Sequence, residues 1–336
     1  MTTAMYSPLD HSTQEIRVLT LETTTDKQQP IRCKLSPQSL DCSKSSFVAF
    51  SYVWGANRGR KMIYVNELPI QITRNLYKLL RAVQNPATAP LQLRYLWIDA
   101  ICINQEDGAE RAIQVQLMRR IYREARFVVA WLGRPSDDSR LAFKVLEIAA
   151  DERAAGTRLE STSWLYKNKD LLCNFEETPM SVSSDSPSQQ SNGTSNAKPP
   201  YNSAWRSIFN LMRRPYFKRL WTFQEAVLPC TLFLLCGSEV SPLDNLLWLL
   251  NWVMNCDLYS CPPFMDTNVW SILTDKRYVT LYIGFKPLDR IYKARKHCHG
   301  SRNIQVSYLT GGKLLYHSHL IEHCLLQVSR IKPTPQ

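Results

Sequence analysis

The residues best suited to chemistry stand where apolar runs stop. In YLWIDAICINQ (95–105) a strand-like run ends on Asp99, and the amides Asn104 and Gln105 close the stretch. A carboxylate at the end of a strand buried on both faces is costly unless it is paired or functional. Ligands of open α/β sheets bind in the crevice beyond the carboxyl ends of the strands. Asp99, Asn104 and Gln105 are therefore expected at such a crevice; the plainer alternative is that Asp99 caps the turn that follows it. In FVAFSYVWG (47–55), Ser51, Tyr52, Trp54 and Gly55 end a second apolar run, and a polar loop, Asn57 to Lys61, comes next. Gly55 and Gly59 would let a ligand approach the backbone, and Arg58, Arg60 and Lys61 would attract a pyrophosphate. Trp54 reads equally as core or as a stacking surface. Trp221 and Glu225 are spaced i,i+4, one face of a helix, so an indole and a carboxylate would line one pocket. The alternative is that Glu225 pairs locally with Arg213, Arg214 or Arg219. Arg111 is read as a salt-bridge partner of Asp107 or Glu110 in preference to a phosphate ligand.

The elements that must position these groups follow from periodicity. FVAFSYVW and Phe127–Leu132 are continuous apolar runs of strand length, and TLFLLCG (231–237) is a buried strand ended by glycine. Met62–Val65 and Ile70–Ile72 flank Asn66-Glu67 as a small hairpin, although Glu67 suits a positive-φ turn poorly. Thr73 is an N-cap for a helix to about Val83 with Leu76, Leu79, Leu80 and Val83 on one face. Ile113, Leu117, Ile121 and Ala125 recur every four residues in the next helix. A helix is expected over about 138–153, and WRSIFNLMRR should be helical until Pro215. LWTFQEAVL reads as a short helix. Ser241-Pro242-Leu243-Asp244 opens another, with proline at its first position, to about Met254. Strand, helix, strand, helix, strand predicts a mostly parallel sheet with crossover helices. ETPMSVSSDSPSQQSNGTSNAKPP (177–200) has almost no apolar content and is expected to be a disordered insertion within one domain.

The chain has 336 residues, 44% of them hydrophobic, and a net charge of +12. It is long enough for a full core. It has no apolar run of 18 residues, so no membrane span is expected. The N-terminus lacks the pattern of a secretory signal, which points to the cytoplasm. The ten cysteines are scattered; Cys102, Cys230 and Cys236 lie in apolar strings, which suits buried free thiols better than disulfides. Much of the basic excess is late (Lys276, Arg277, Lys286, Arg290, Lys293, Arg295, Lys296, Arg302) and is read as a solvated face or an attractor of a small anion. No nucleic-acid motif accompanies it. Five of the six histidines fall in 297–323, but their spacing with the cysteines matches no metal site, so no metal is expected.

FVAFSYVWG, YLWIDAICINQ, ERAIQVQLMRRIYREARFVVAWLG (110–133) and RRPYFKRLWTFQEAVL (213–228), in this order, resemble the fungal heterokaryon-incompatibility (HET) domain. EIRVLTLE (15–22) and IYVNELPIQITRNLYKLL (63–80) resemble it too. The likeness divides the chain into a flexible N-terminus (1–14), a HET domain (15–255) and a divergent, truncated-looking C-terminal region (256–336). It implies a three-layer α/β fold similar to TIR and flavodoxin-like domains, and a part in fungal nonself recognition and regulated cell death.

HET domains are similar in fold to TIR domains, many of which cleave NAD at the nicotinamide–ribose bond with a glutamate four residues after a tryptophan. The resemblance therefore implies Glu225 as the catalytic carboxylate and NAD as substrate. It further implies a ribose pocket shaped by Asp99 and Ser51, Trp54 or Trp221 against the nicotinamide ring, and activation by self-association. The other readings are a non-enzymatic assembly module and an inactive relic.

Overall fold

A computed structural model describes residues 5–41, 47–85, 93–159, 161–172, 203–218 and 222–255, together with Ile291, Ala294 and Arg295. In chain order the strands are β1 (Glu15–Leu21), β2 (Arg32–Ser39), β3 (Phe47–Tyr52), β4 (Lys61–Val65), β5 (Leu68–Ile72), β6 (Tyr95–Trp97), β7 (Phe127–Trp131), β8 (Leu232–Cys236) and β9 (Glu239–Pro242). The helices are α1 (Arg74–Gln84), α2 (Asp99–Cys102), α3 (Gly108–Glu124), α4 (Ser139–Ala154), α5 (Ser163–Lys167), α6 (Lys169–Leu172), α7 (Ser203–Met212), α8 (Thr222–Val227) and α9 (Leu243–Asn255); a 3-10 turn spans Pro215–Lys218. The insertion at 177–200, Trp221 and the histidine-rich stretch 297–323 lie outside the described residues.

All nine strands form one sheet in the order β5-β4-β2-β1-β6-β3-β7-β8-β9. The expectation of a mostly parallel sheet is corrected: the sheet is mixed. β6, β3, β7 and β8 run parallel, as do β2 and β4, whereas β1–β2, β1–β6, β4–β5 and β8–β9 are antiparallel. The parallel core is what the apolar runs predicted, since strands covered on both faces lose their alternation. All six residues of β3 are buried. β1–β2, β4–β5 and β8–β9 join consecutive strands by hairpin-like connections, which need no crossover helix, whereas β1–β6 pairs segments distant in the chain. Within the parallel core the second strand in sequence, β6, lies on one side of β3, and β7 then β8 lie on the other. That is a doubly wound order, and it reverses at β3. The helices flank this sheet in an arrangement compatible with three layers.

Local signals hold in most places. Thr73 caps α1 by accepting from the Leu76 amide at 3.4 Å, and Leu76, Leu79, Leu80 and Val83 are buried. The β4–β5 turn puts both Asn66 (φ 49°) and Glu67 (φ 63°) in the left-handed region. Glu67 tolerates this while its carboxylate meets Arg32 at 2.5 Å, and the Asn66 side chain accepts from the Leu35 amide at 2.9 Å. In α3, Ile121 is buried but Ile113, Leu117 and Met118 are only half-buried, so the expected face is covered at one end only. Pro242 ends the edge strand β9 and does not begin the helix; proline is tolerated on an edge, where its missing N–H interrupts no inner ladder. Behind the sheet, Trp164 of α5 meets Trp205 of α7 and Trp252 of α9 edge-on at 6.4 and 4.8 Å between centroids.

Two residues of the N-terminal stretch contact the domain. Tyr6 donates to the Ile101 carbonyl at 3.1 Å, and the Ser7 carbonyl accepts from Arg17 at 2.5 Å.

Candidate functional site

Ser51 sits near the carboxyl end of β3, paired in register with Ala130 of β7. It is 1% exposed. Its hydroxyl donates to the carboxylate of Glu225 and lies 3.0 Å from the hydroxyl of Tyr216. Glu225 is 4% and Tyr216 3% exposed. Two short elements deliver these partners: the 3-10 turn begun at Pro215 brings Tyr216, and α8 brings Glu225. Arg214, one of the expected local partners of Glu225, turns elsewhere. It donates to the Leu132 and Arg134 carbonyls at 2.9 and 2.8 Å and to the Ser136 and Ser139 hydroxyls. A buried carboxylate gripped by a hydroxyl thus stands where the strand order reverses, the position at which open α/β sheets bind ligands.

Three residues on, Trp54 is 41% exposed, which removes the core reading of its ring. Its indole N–H donates to Asp99 Oδ2 at 2.8 Å. The other oxygen of Asp99, the first residue of α2, accepts from the Ala100 amide at 2.7 Å, so the carboxylate is held by the backbone and fixes the indole. Chain geometry limits the Cα separation of Ser51 and Trp54 to about 11 Å, so the two contacts flank one strand end. Gly55 between them and the basic loop has φ +78°, and a Cβ there would lie 3.4 Å from the Cβ of Asn75. Tyr52, the last residue of β3, is buried and faces the core.

The two amides support the turn after α2. Gln105 donates to the Asp99 carbonyl at 3.0 Å, and Asn104 accepts from the Glu106 amide at 3.2 Å. The Asn104 amide in turn donates to Glu110 at 2.8 Å. Glu110 is not paired with Arg111, which donates instead to the Gln105 carbonyl at 3.0 Å. Its partner is Arg17 of β1, in a two-pronged contact of 2.6 and 2.9 Å with side chains 1% and 9% exposed. Arg17 also donates to the Cys102 carbonyl at 3.3 Å and lies 4.9 Å from the centroid of the Tyr6 ring. The ion pair therefore ties β1, α3 and the DAICINQ loop into one support for Asp99.

Tyr216 and the pairing of Arg17 with Glu110 are absent from the sequence reading. No spacing rule links them to the site. The one available signal was an arginine inside the apolar string EIRVLTLE. Arg295, read there as part of a solvated basic face, is 6% exposed. Cys230 is exposed, contrary to expectation, while Cys33, Cys102 and Cys236 are buried; none of these four forms a disulfide. Burial pushes the thiols of Cys33 and Cys102 up to about 12. Among the described residues, no three His, Cys, Asp or Glu side chains group as metal ligands. No helix among them is long and apolar enough to cross a membrane.

These features define an α/β protein with a doubly wound parallel core and a buried acid at its carboxyl edge. The heterokaryon incompatibility family, "Heterokaryon incompatibility protein (HET)", matches residues 47–225, a span that opens on the first residue of β3 and closes on Glu225. The chain is also 30% identical over 276 residues to "Heterokaryon incompatibility protein 6, OR allele" of Neurospora crassa. That alignment covers 75% of this chain and 37% of the relative, so the chain spans a little over a third of the relative's length. The chain belongs to the HET family. No solved structure matches it.

Proposed function

We propose that this chain serves fungal nonself recognition in the cytoplasm by hydrolysing NAD at the nicotinamide–ribose bond, and that self-association switches it on. The role in incompatibility is supported by the family and by the relative's name. The TIR-like reading of the fold is supported by the doubly wound order of β6, β3, β7 and β8. The single observation that carries the chemistry is the Glu225 carboxylate at the strand-order reversal, oriented by the Ser51 hydroxyl.

In this reading the bond from ribose C1′ to the pyridinium nitrogen breaks, its electron pair neutralising the nicotinamide. The ribose becomes cationic, and a carboxylate stabilises that charge as in glycoside hydrolysis. Water adds at C1′ and releases one proton, which the carboxylate accepts and passes to solvent. Ser51 aims the carboxylate. Trp54, fixed by Asp99, offers an aromatic face to a flat ring of the dinucleotide. Gly55 and the Arg58–Lys61 loop receive the pyrophosphate.

A second reading, a non-enzymatic assembly module, draws support from the same carboxylate, because a Glu225 that is 4% exposed and bonded to Ser51 also suits a purely structural role. Nicotinamide release from NAD by the purified full chain at high concentration separates the two. Glu225→Gln, which keeps size and hydrogen bonding, is expected to lower the rate by about 10²-fold or more, the scale of one preorganised electrostatic contact. Equal rates would make Glu225 structural. No release from either protein, with assembly intact, would favour the module.

A further inference from the structure

Glu225 lies on a helix of six residues, α8. So short a helix has little hydrogen-bonded ladder of its own, and its last carbonyls need outside donors. Arg295, seventy residues further on, supplies donors to one carbonyl of the helix and to two in the turn that follows it. It donates to the carbonyl of Ala226 at 2.6 Å, of Pro229 at 3.1 Å and of Cys230 at 3.2 Å. The first of these belongs to the residue directly after Glu225. The guanidinium is itself aimed by Asp244 of α9, which it meets in a two-pronged contact at 3.2 Å on each side. Ile291, four residues earlier and 5% exposed, is buried in the core. A planar fork with five donors can serve three carbonyls and a carboxylate at once, which an ammonium cannot.

We propose that Arg295 is a positioning residue for Glu225: it clamps the exit of α8 so that the carboxylate stays aimed at the end of β3. The segment that looked divergent in sequence thereby becomes part of the site. The clamp stands on the geometry alone; its effect on turnover rests on the NAD reading above.

The test uses the full chain as Arg295→Met, Arg295→Lys and the milder Asp244→Asn. Hydrogen exchange is followed over 223–232, with peptides of β3 and β7 as the reference for the global fold, and nicotinamide release is measured in parallel. Arg295→Met is expected to speed exchange over 223–232 while β3 and β7 stay protected. Its kcat should fall by about 10²-fold, the cost of a misplacement of about 1 Å, with KM changed by less than about twofold. Arg295→Lys should recover part of both effects, and Asp244→Asn should show a weaker form of both. Unchanged exchange over 223–232 in Arg295→Met overturns the clamp. So does faster exchange across β3 and β7 in all three variants, which would make Arg295 a general stabiliser. A raised KM with unchanged kcat overturns the positioning role. If the wild-type chain releases no nicotinamide, the NAD reading fails by itself, and the exchange pattern still decides the clamp.

Discussion

The Ser51 hydroxyl, on the central strand β3, donates to the carboxylate of Glu225, 174 residues further along the chain, with both side chains buried. The contact joins the first and last parts of the family-matched span, and it makes the state of one oxygen depend on the fold of the whole domain. Ser51→Ala removes one hydrogen bond from a carboxylate, worth about 1.5–3 kcal/mol when the acceptor is charged. Urea unfolding of the variant should register a loss of that size, and nicotinamide release should drop with it. A stability change within about 0.5 kcal/mol, the range of ordinary surface substitutions, would show that the bond does not constrain Glu225.

Trp54 is the substitution that separates binding from folding. Its ring is largely outside the core, so Trp54→Ala should leave the melting temperature nearly unchanged. Stacking on an aromatic side chain contributes about 1–3 kcal/mol per base, so loss of the ring should raise KM for NAD by roughly ten- to a hundredfold, with kcat less affected. A KM unchanged by Trp54→Ala would remove the indole from the binding surface.

The Arg17–Glu110 pair is a folding element. Glu110→Ala strands a buried guanidinium and should cost about 3–5 kcal/mol, whereas a surface pair contributes at most about 1 kcal/mol. The double variant Arg17→Met, Glu110→Leu should lose less than Glu110→Ala alone, since it buries no unpaired charge. Chemical denaturation of the three proteins checks the order; a double variant less stable than the single one would contradict it.

Thiol reactivity should follow burial. The thiolate is the nucleophile, and burial holds the thiols of Cys33 and Cys102 at about 12, with Cys236 also raised by burial. Among these four cysteines, alkylation of the native chain at pH 8 should modify Cys230 first and leave the other three unlabelled until the protein is unfolded. Peptide mass spectrometry reads the result; early labelling of Cys102 would mean that the DAICINQ loop opens readily.

Much of the local structure was legible in the residues themselves. The apolar runs of β3, β7 and β8, the leucine spacing and Thr73 cap of α1, the Asn66-Glu67 turn and the short helix carrying Glu225 all depend on neighbours within a few positions, and periodicity reports such neighbours directly. The same local signals failed where pairing decides. β2, RCKLSPQS, has too little alternation to announce itself. Ser241-Pro242 fits a helix start and an edge strand equally well. Only the neighbouring chain, Phe233 opposite Pro242, makes it a strand. Strand order, and with it the mixed character of the sheet, is a property of contacts between distant segments that no window of sequence contains. The site divides in the same way. The sequence by itself put Ser51 in a buried strand, Asp99 just after one and Glu225 on a short helix. The tertiary structure alone decided that Asp99 takes the Trp54 indole, that Ser51 takes Glu225, and that Arg295 is buried against the exit of α8. Those partners are set by packing across the sheet, where a buried charge must find a hydrogen-bonding group wherever the fold brings one within reach.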